Sequence, residues 1–142
     1  MKRTKSRRPI NRLFLLIAVV FTCIVFVSCA KKIYFQDSSV LPAARGTAKI
    51  KKDKNKNYVI HVQLNYLAEP GRLQPAQKTY VVWLVNEDNL AHNAGQIKQT
   101  HNLKVDFETV SSSRPVKIFI TAENDETVQN PGMELVLTTN NF

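Results

Sequence analysis

Beyond residue 29 the chain contains no cysteine; its two cysteines are Cys23 and Cys29. A domain built from the remainder has no disulfide available and must be held by its own apolar core. Acidic residues are absent from positions 1–28, which carry six basic residues: Lys2, Arg3, Lys5, Arg7, Arg8 and Arg12. Helical periodicity is absent after Ala30, and no repeat or low-complexity tract occurs. Histidine is scarce. His61, His92 and His101 lack i, i+4 spacing, and no cysteine stands near them, so a zinc pattern is missing. The serines at 38, 39 and 111–113 form neither a nucleophile elbow nor a Ser-x-x-Lys motif. There is no phosphate-binding loop and no dinucleotide fingerprint. These gaps lead to the expectation of a protein without catalytic residues, metal or cofactor.

What is present begins with a leader. The basic stretch is followed by an apolar run from Leu13 to Val27, then Ser28, Cys29 and Ala30. That is the charged, apolar, small-residue order of a secretory signal. Phe26-Val27-Ser28-Cys29 resembles a bacterial lipoprotein lipobox. The resemblance implies lipidation of the Cys29 sulfur and cleavage before it. The other reading is an uncleaved signal anchor. Leu13 to Ala30 gives 18 residues without a charge, at the lower edge of the roughly 17–25 that span a bilayer. Both readings attach the protein to a membrane and export the C-terminal part of the chain. Under the lipoprotein resemblance, the absence of Asp at Ala30 slightly favours the outer over the inner membrane. The expected organisation is a signal peptide or signal anchor over 1–28, a lipidated N-terminus and tether over 29–45, and one domain over 46–142.

The formal charge of +9 is unevenly placed. Residues 1–28 contribute +6, residues 29–57 another +6, and residues 58–142 contribute −3. The high pI thus rests largely on the leader, and nucleic acid is excluded as a partner.

From Gly46 the chain alternates with period two. Ala48 and Ile50 alternate with Lys49 and Lys51, which predicts an edge strand. Tyr58, Ile60, Val62, Leu64 and Tyr66 share one face, against His61, Gln63 and Asn65. Further strands are predicted at Tyr80–Asn86, Ala94–Lys98, Leu103–Glu108, Val116–Ala122 and Met133–Thr138. About seven short strands separated by turns predict an all-β, antiparallel two-sheet sandwich, Ig-like by strand count, preceded by an N-terminal hydrophobic signal or anchor helix.

Lys78-Thr79-Tyr80-Val81-Val82-Trp83-Leu84-Val85-Asn86, with Gly46-Thr47-Ala48, Ala94-Gly95-Gln96, Phe119-Ile120-Thr121-Ala122-Glu123 and Pro131-Gly132 through Leu137-Thr138, resembles the extracytoplasmic C-terminal domain of RskA-like anti-sigma-K factors. The resemblance implies a β-sandwich sensor or interaction module outside the cytoplasmic membrane. Members of that family hold a sigma factor with a cytoplasmic helical domain. Here 12 residues precede Leu13, so the resemblance is expected to carry fold and compartment but not sigma-factor inhibition. It leaves two roles: a non-enzymatic envelope lipoprotein that binds an envelope protein or component, or a membrane-anchored sensory accessory of an anti-sigma system.

Three features invite a site. Lys49, Lys51, Lys52, Lys54 and Lys56 are read either as contact with an anionic surface or as lysines guarding a strand edge. Glu123-Asn124-Asp125-Glu126 is read as a solvated turn rather than a calcium loop, because EF-hand spacing is missing. Tyr80–Val85 is apolar on both faces. With Tyr80, Val82 and Leu84 inward, Val81, Trp83 and Val85 face out, and with Phe119 and Val136 they form a candidate partner surface.

Overall fold

Between Tyr58 and Asn65 the alternation is realised residue by residue: Ile60, Val62 and Leu64 are buried, while His61, Gln63 and Asn65 face solvent. The computed structural model describes residues 31–98 and 103–142. The expected leader and anchor helix over 1–28, Cys29 and His101 lie outside them. Among the described residues no helix is long and apolar enough to cross a membrane.

The described residues form eight strands: β1 Lys31–Tyr34, β2 Arg45–Lys52, β3 Tyr58–Asn65, β4 Thr79–Asn86, β5 Ala91–Ile97, β6 Lys104–Ser111, β7 Pro115–Glu123 and β8 Leu135–Thr138. They make two four-stranded antiparallel sheets, ordered β1-β2-β3-β6 and β5-β4-β7-β8. The sheets pack face to face around Ile60, Val62, Leu64, Tyr80, Val82 and Ile120. The Tyr80 hydroxyl leaves this core by donating to the Ala68 carbonyl at 3.0 Å.

Two expectations change at the first sheet. Residues 31–45 belong to the domain rather than to a tether. Ile33 and Phe35 are spaced by two, point inward and are buried, and Ala44 is fully buried. The stretch is too short to show its period in the sequence, so only the pairing of Lys31–Tyr34 with Thr47–Ile50 reveals it. As a result β2 lies between β1 and β3 and is not an edge. Its close fit is set by Gly46, where a Cβ would come within 2.5 Å of Leu64 Cδ2 and 2.9 Å of Phe35 Cδ2.

The two sides of the sandwich differ. On one, Phe35 bridges Thr139, and the Gln36 N–H donates to the Thr138 carbonyl at 2.8 Å. On the other, the Thr109 hydroxyl donates to the Ala94 carbonyl at 3.2 Å. A groove opens there between β5 and β6.

Candidate functional site

Strand β4 is buried along its whole length from Thr79 to Val85. Its inward residues Tyr80, Val82 and Leu84 belong to the core between the sheets; Val81, Trp83 and Val85 face the other way. Register places Trp83 between Phe119 of β7 and Asn93 of β5. The Trp83 and Phe119 rings are stacked, with centroids 6.1 Å apart and planes 10° apart.

This aromatic pair is on the outer face, as alternation predicts, but Trp83 is 0% exposed. The cover is the loop between β7 and β8. The Asn93 side-chain amide donates to the carbonyls of Glu126 and Val128, each at 2.8 Å, so the loop reaches from β7 across β4 to β5. Its return is fixed by a buried polar chain. The Trp83 indole N–H donates to Thr121 Oγ1 at 2.8 Å, and that hydroxyl donates to Glu123 Oε1. The same carboxylate oxygen accepts the Gly132 N–H at 2.7 Å. A Cβ at Gly132 would lie 2.7 Å from Glu123 Oε2, which is why glycine stands at the point of closest approach. A buried carboxylate needs such donors, because an unpaired one would be strongly disfavoured.

The expected partner surface is therefore corrected in two ways. Val81, Trp83 and Val85 are buried and Phe119 is half-buried, so they form a covered layer rather than an open patch. Val136 does not join them. Ile120 pairs with Leu137 and Thr121 with Leu135, so Val136 is the extra residue of a bulge. The bulge turns Val136 into the core beside Leu137 and leaves Leu135 46% exposed.

The five lysines diverge. Lys49 and Lys51 lie on the outer face of the first sheet, across from His61 and Val59. Lys52 is in register with the inward residues of β2, and its Nζ sits 5.4 Å from the centre of the Tyr58 ring. Lys54 and Lys56 lie in the β2–β3 turn, which Asp53 organises by accepting the Asn55 and Asn57 N–H groups, each at 2.8 Å. Lys52 lines a cavity of about 170 Å³ at the end of the sandwich, together with Lys31 and Arg114. The sequence gives no sign that Arg114 belongs to this group, since β6 and β7 bring it there from the far half of the chain.

Among the described residues the remaining polar groups lie in separate places. His61 Nδ1 is 3.1 Å from Glu108 Oε2 on an exposed face. His92 lies beside the β5–β6 groove, of about 310 Å³, with Asn86, Asn93, Thr109, Ser111 and Ser113; no charged carboxylate or cation lines it. The Ser111 hydroxyl donates to the Ser113 carbonyl at 2.8 Å rather than to a base. In the acidic loop the carboxylates part. Glu123 turns inward, while Asp125 accepts the Thr127 N–H and hydroxyl, each at 2.8 Å. Those bonds, the backbone one first, hold the Asp125 carboxyl below its ordinary value. Among the described residues no group of three His, Cys, Asp or Glu side chains is placed to hold a metal ion.

No family model, no curated protein and no solved structure matches the chain.

Proposed function

We propose that this protein is a non-enzymatic, membrane-anchored component of a bacterial cell envelope whose sandwich is an interaction domain. The observation that carries the reading is the join between leader and fold. The apolar run ends at Val27, the lipobox-like Ser28-Cys29 comes next, and strand β1 starts at Lys31. A secretory leader that passes directly into a disulfide-free, self-packed β domain suits export and anchoring. The finer likeness to the Ig fold is supported by strand order. With β2 as the first strand, β2-β3-β6 and β4-β7-β8 follow the order of an Ig sandwich, with β5 added beside β4 and β1 beside β2. In that fold the tryptophan of the third strand packs between the sheets; Trp83 instead faces outward under its loop.

The groove between β5 and β6 is the interaction surface of this reading. Asn86, Ser111 and Ser113 line it with an amide and two hydroxyls, beside Val110, which is 58% exposed. Uncharged hydrogen-bonding groups next to an exposed apolar side chain suit a neutral polar segment of a partner.

Mass spectrometry of the mature N-terminus tests the anchor. A diacylated Cys29 as the first residue is the expected result, and Cys29→Ser should leave the precursor uncleaved. Recovery of an intact leader with an unmodified Cys29 would replace the lipid by a signal anchor. Recovery of a soluble, unlipidated chain would overturn the proposal.

A further inference from the structure

The chain enters the fold at the end of the sandwich where its cations gather. Lys31 opens β1 opposite Ile50, and the β2–β3 turn, the 112–114 loop and Phe142 lie at the same end. Phe142 is fixed there by its backbone N–H, which donates to the Val116 carbonyl at 3.0 Å. The cavity at this end has an apolar floor of Ile33, Ile50, Tyr58, Pro115 and Phe142. Lys31, Lys52 and Arg114 stand among its lining. Two of these cations are positioned by rings: Lys31 Nζ is 5.9 Å from the centre of Phe142, and Lys52 Nζ is 5.4 Å from Tyr58. Lys54 and Lys56 extend the positive surface along the exposed turn.

Opposing charge near this end comes from Glu87, Asp88 and Asp53. Glu87 Oε1 is 3.9 Å from Arg114 Nη1, with Asp88 beside it in the β4–β5 turn. The Asp53 carboxylate is occupied by the N–H groups of Asn55 and Asn57.

Cys29 precedes Lys31 by two residues. A residue spans at most about 3.6 Å, so a link of two residues reaches no further than about 7 Å. A tether running to residue 45 would have reached roughly 60 Å. The shorter distance is inside the Debye length of about 10 Å at 0.1 M salt, so surface charge is felt at this end. We propose that this end of the sandwich is a contact surface for anionic phospholipid headgroups, with a lipid phosphate received at the Lys31–Lys52–Arg114 cavity. The inference rests on the anchored reading above. It adds that the domain is seated on the bilayer rather than suspended from it.

The test uses the full chain in vesicles of phosphatidylcholine alone or with added phosphatidylglycerol. Flotation reports anchoring, and lysine acetylation read by mass spectrometry reports seating. Lys31, Lys52, Lys54 and Lys56 should lose reactivity by about fivefold in the anionic vesicles. Lys78 and Lys98, at the opposite end, should not change. Raising salt to 0.5 M should restore reactivity while the protein still floats. The Lys54→Glu, Lys56→Glu double variant, altered only on the exposed turn, should lose the protection of Lys52 without losing flotation. Flotation with equal reactivity in both vesicles would overturn the seating and leave the anchor intact. Failure to float would overturn both.

Discussion

The two sheets share architecture and inner core but treat their outer faces in opposite ways. On the first sheet the outward rows run Lys32, Lys49, His61, Glu108 and Tyr34, Thr47, Gln63, Asp106. These side chains meet water, and Gln63 donates across to Asp106 at 2.9 Å. On the second sheet the outward residues of β4 are Val81, Trp83 and Val85, all buried. An antiparallel sheet leaves one face to solvent when nothing covers it. The second sheet is covered by its own β7–β8 loop, which is held at both ends. Asn93 grips the carbonyls of Glu126 and Val128, and Glu123 grips Gly132. The difference teaches that an apolar outer face is not by itself a free surface: a loop of about ten residues can turn it into a second, smaller core.

The largest expected effect lies under that loop. Trp83→Ala removes a fully buried indole, its stack on Phe119 and its N–H bond to Thr121. Denaturant unfolding should show a loss of about 3–5 kcal/mol. A loss below about 1 kcal/mol would mean that the loop does not seal the face, and the contrast between the two sheets would collapse.

The next effect addresses the latch. Gly132→Ala puts a Cβ against Glu123, whose carboxylate would have to swing away from both Gly132 and Thr121. The expected cost is about 1–3 kcal/mol, typical of overpacking. Because the strain is local, limited proteolysis within 124–134 should accelerate more than global unfolding does. Equal acceleration throughout the chain would show that the loop is not a separate unit.

These residues also show what a sequence can and cannot convey. The polar rows of the first sheet are legible because one face is wet, and a wet face writes alternation into β3 and β6. Alternation likewise places Trp83 and Phe119 correctly on the outer face of the second sheet. It is silent about the cover, because Asn93 and Glu126 are far apart in sequence and the loop reads as ordinary polar turn. Alternation misplaces Val136 because a bulge breaks the period at that residue. It misses β1 because two inward residues are too few to show a period. The lysine run reads as one feature, yet it divides between an outer face, a turn and a cavity, since strand parity separates Lys51 from Lys52.

A smaller effect probes the inner face that the two sheets share. Burial pushes the Tyr80 phenol up to about 12 from its ordinary value of 10.0. The unfolded chain loses this proton first as pH rises. Tyr80 therefore contributes full stability below about pH 10 and loses it progressively as pH approaches 12. Tyr80→Phe should cost about 1 kcal/mol at neutral pH by removing the bond to Ala68, and should flatten the alkaline fall. An unchanged alkaline arm would assign that fall to other groups.

The smallest effect belongs to the wet face. His61 Nδ1 and Glu108 Oε2 are 3.1 Å apart, with side chains 50% and 58% exposed. Such a pair gains little, because water screens the attraction and ordering two side chains opposes it. His61→Gln keeps a polar side chain at the position and should change stability by less than about 0.5 kcal/mol, with and without added salt. The comparison with Trp83 is sharpest here, since the two residues occupy corresponding outward positions on the middle strands of their sheets. A loss above about 1.5 kcal/mol for His61→Gln would require that something also covers the first sheet. Repeating the melt on the anchored protein and on the protein in detergent would then distinguish the bilayer as that cover from a second copy of the chain, because only the latter makes the loss depend on protein concentration in detergent.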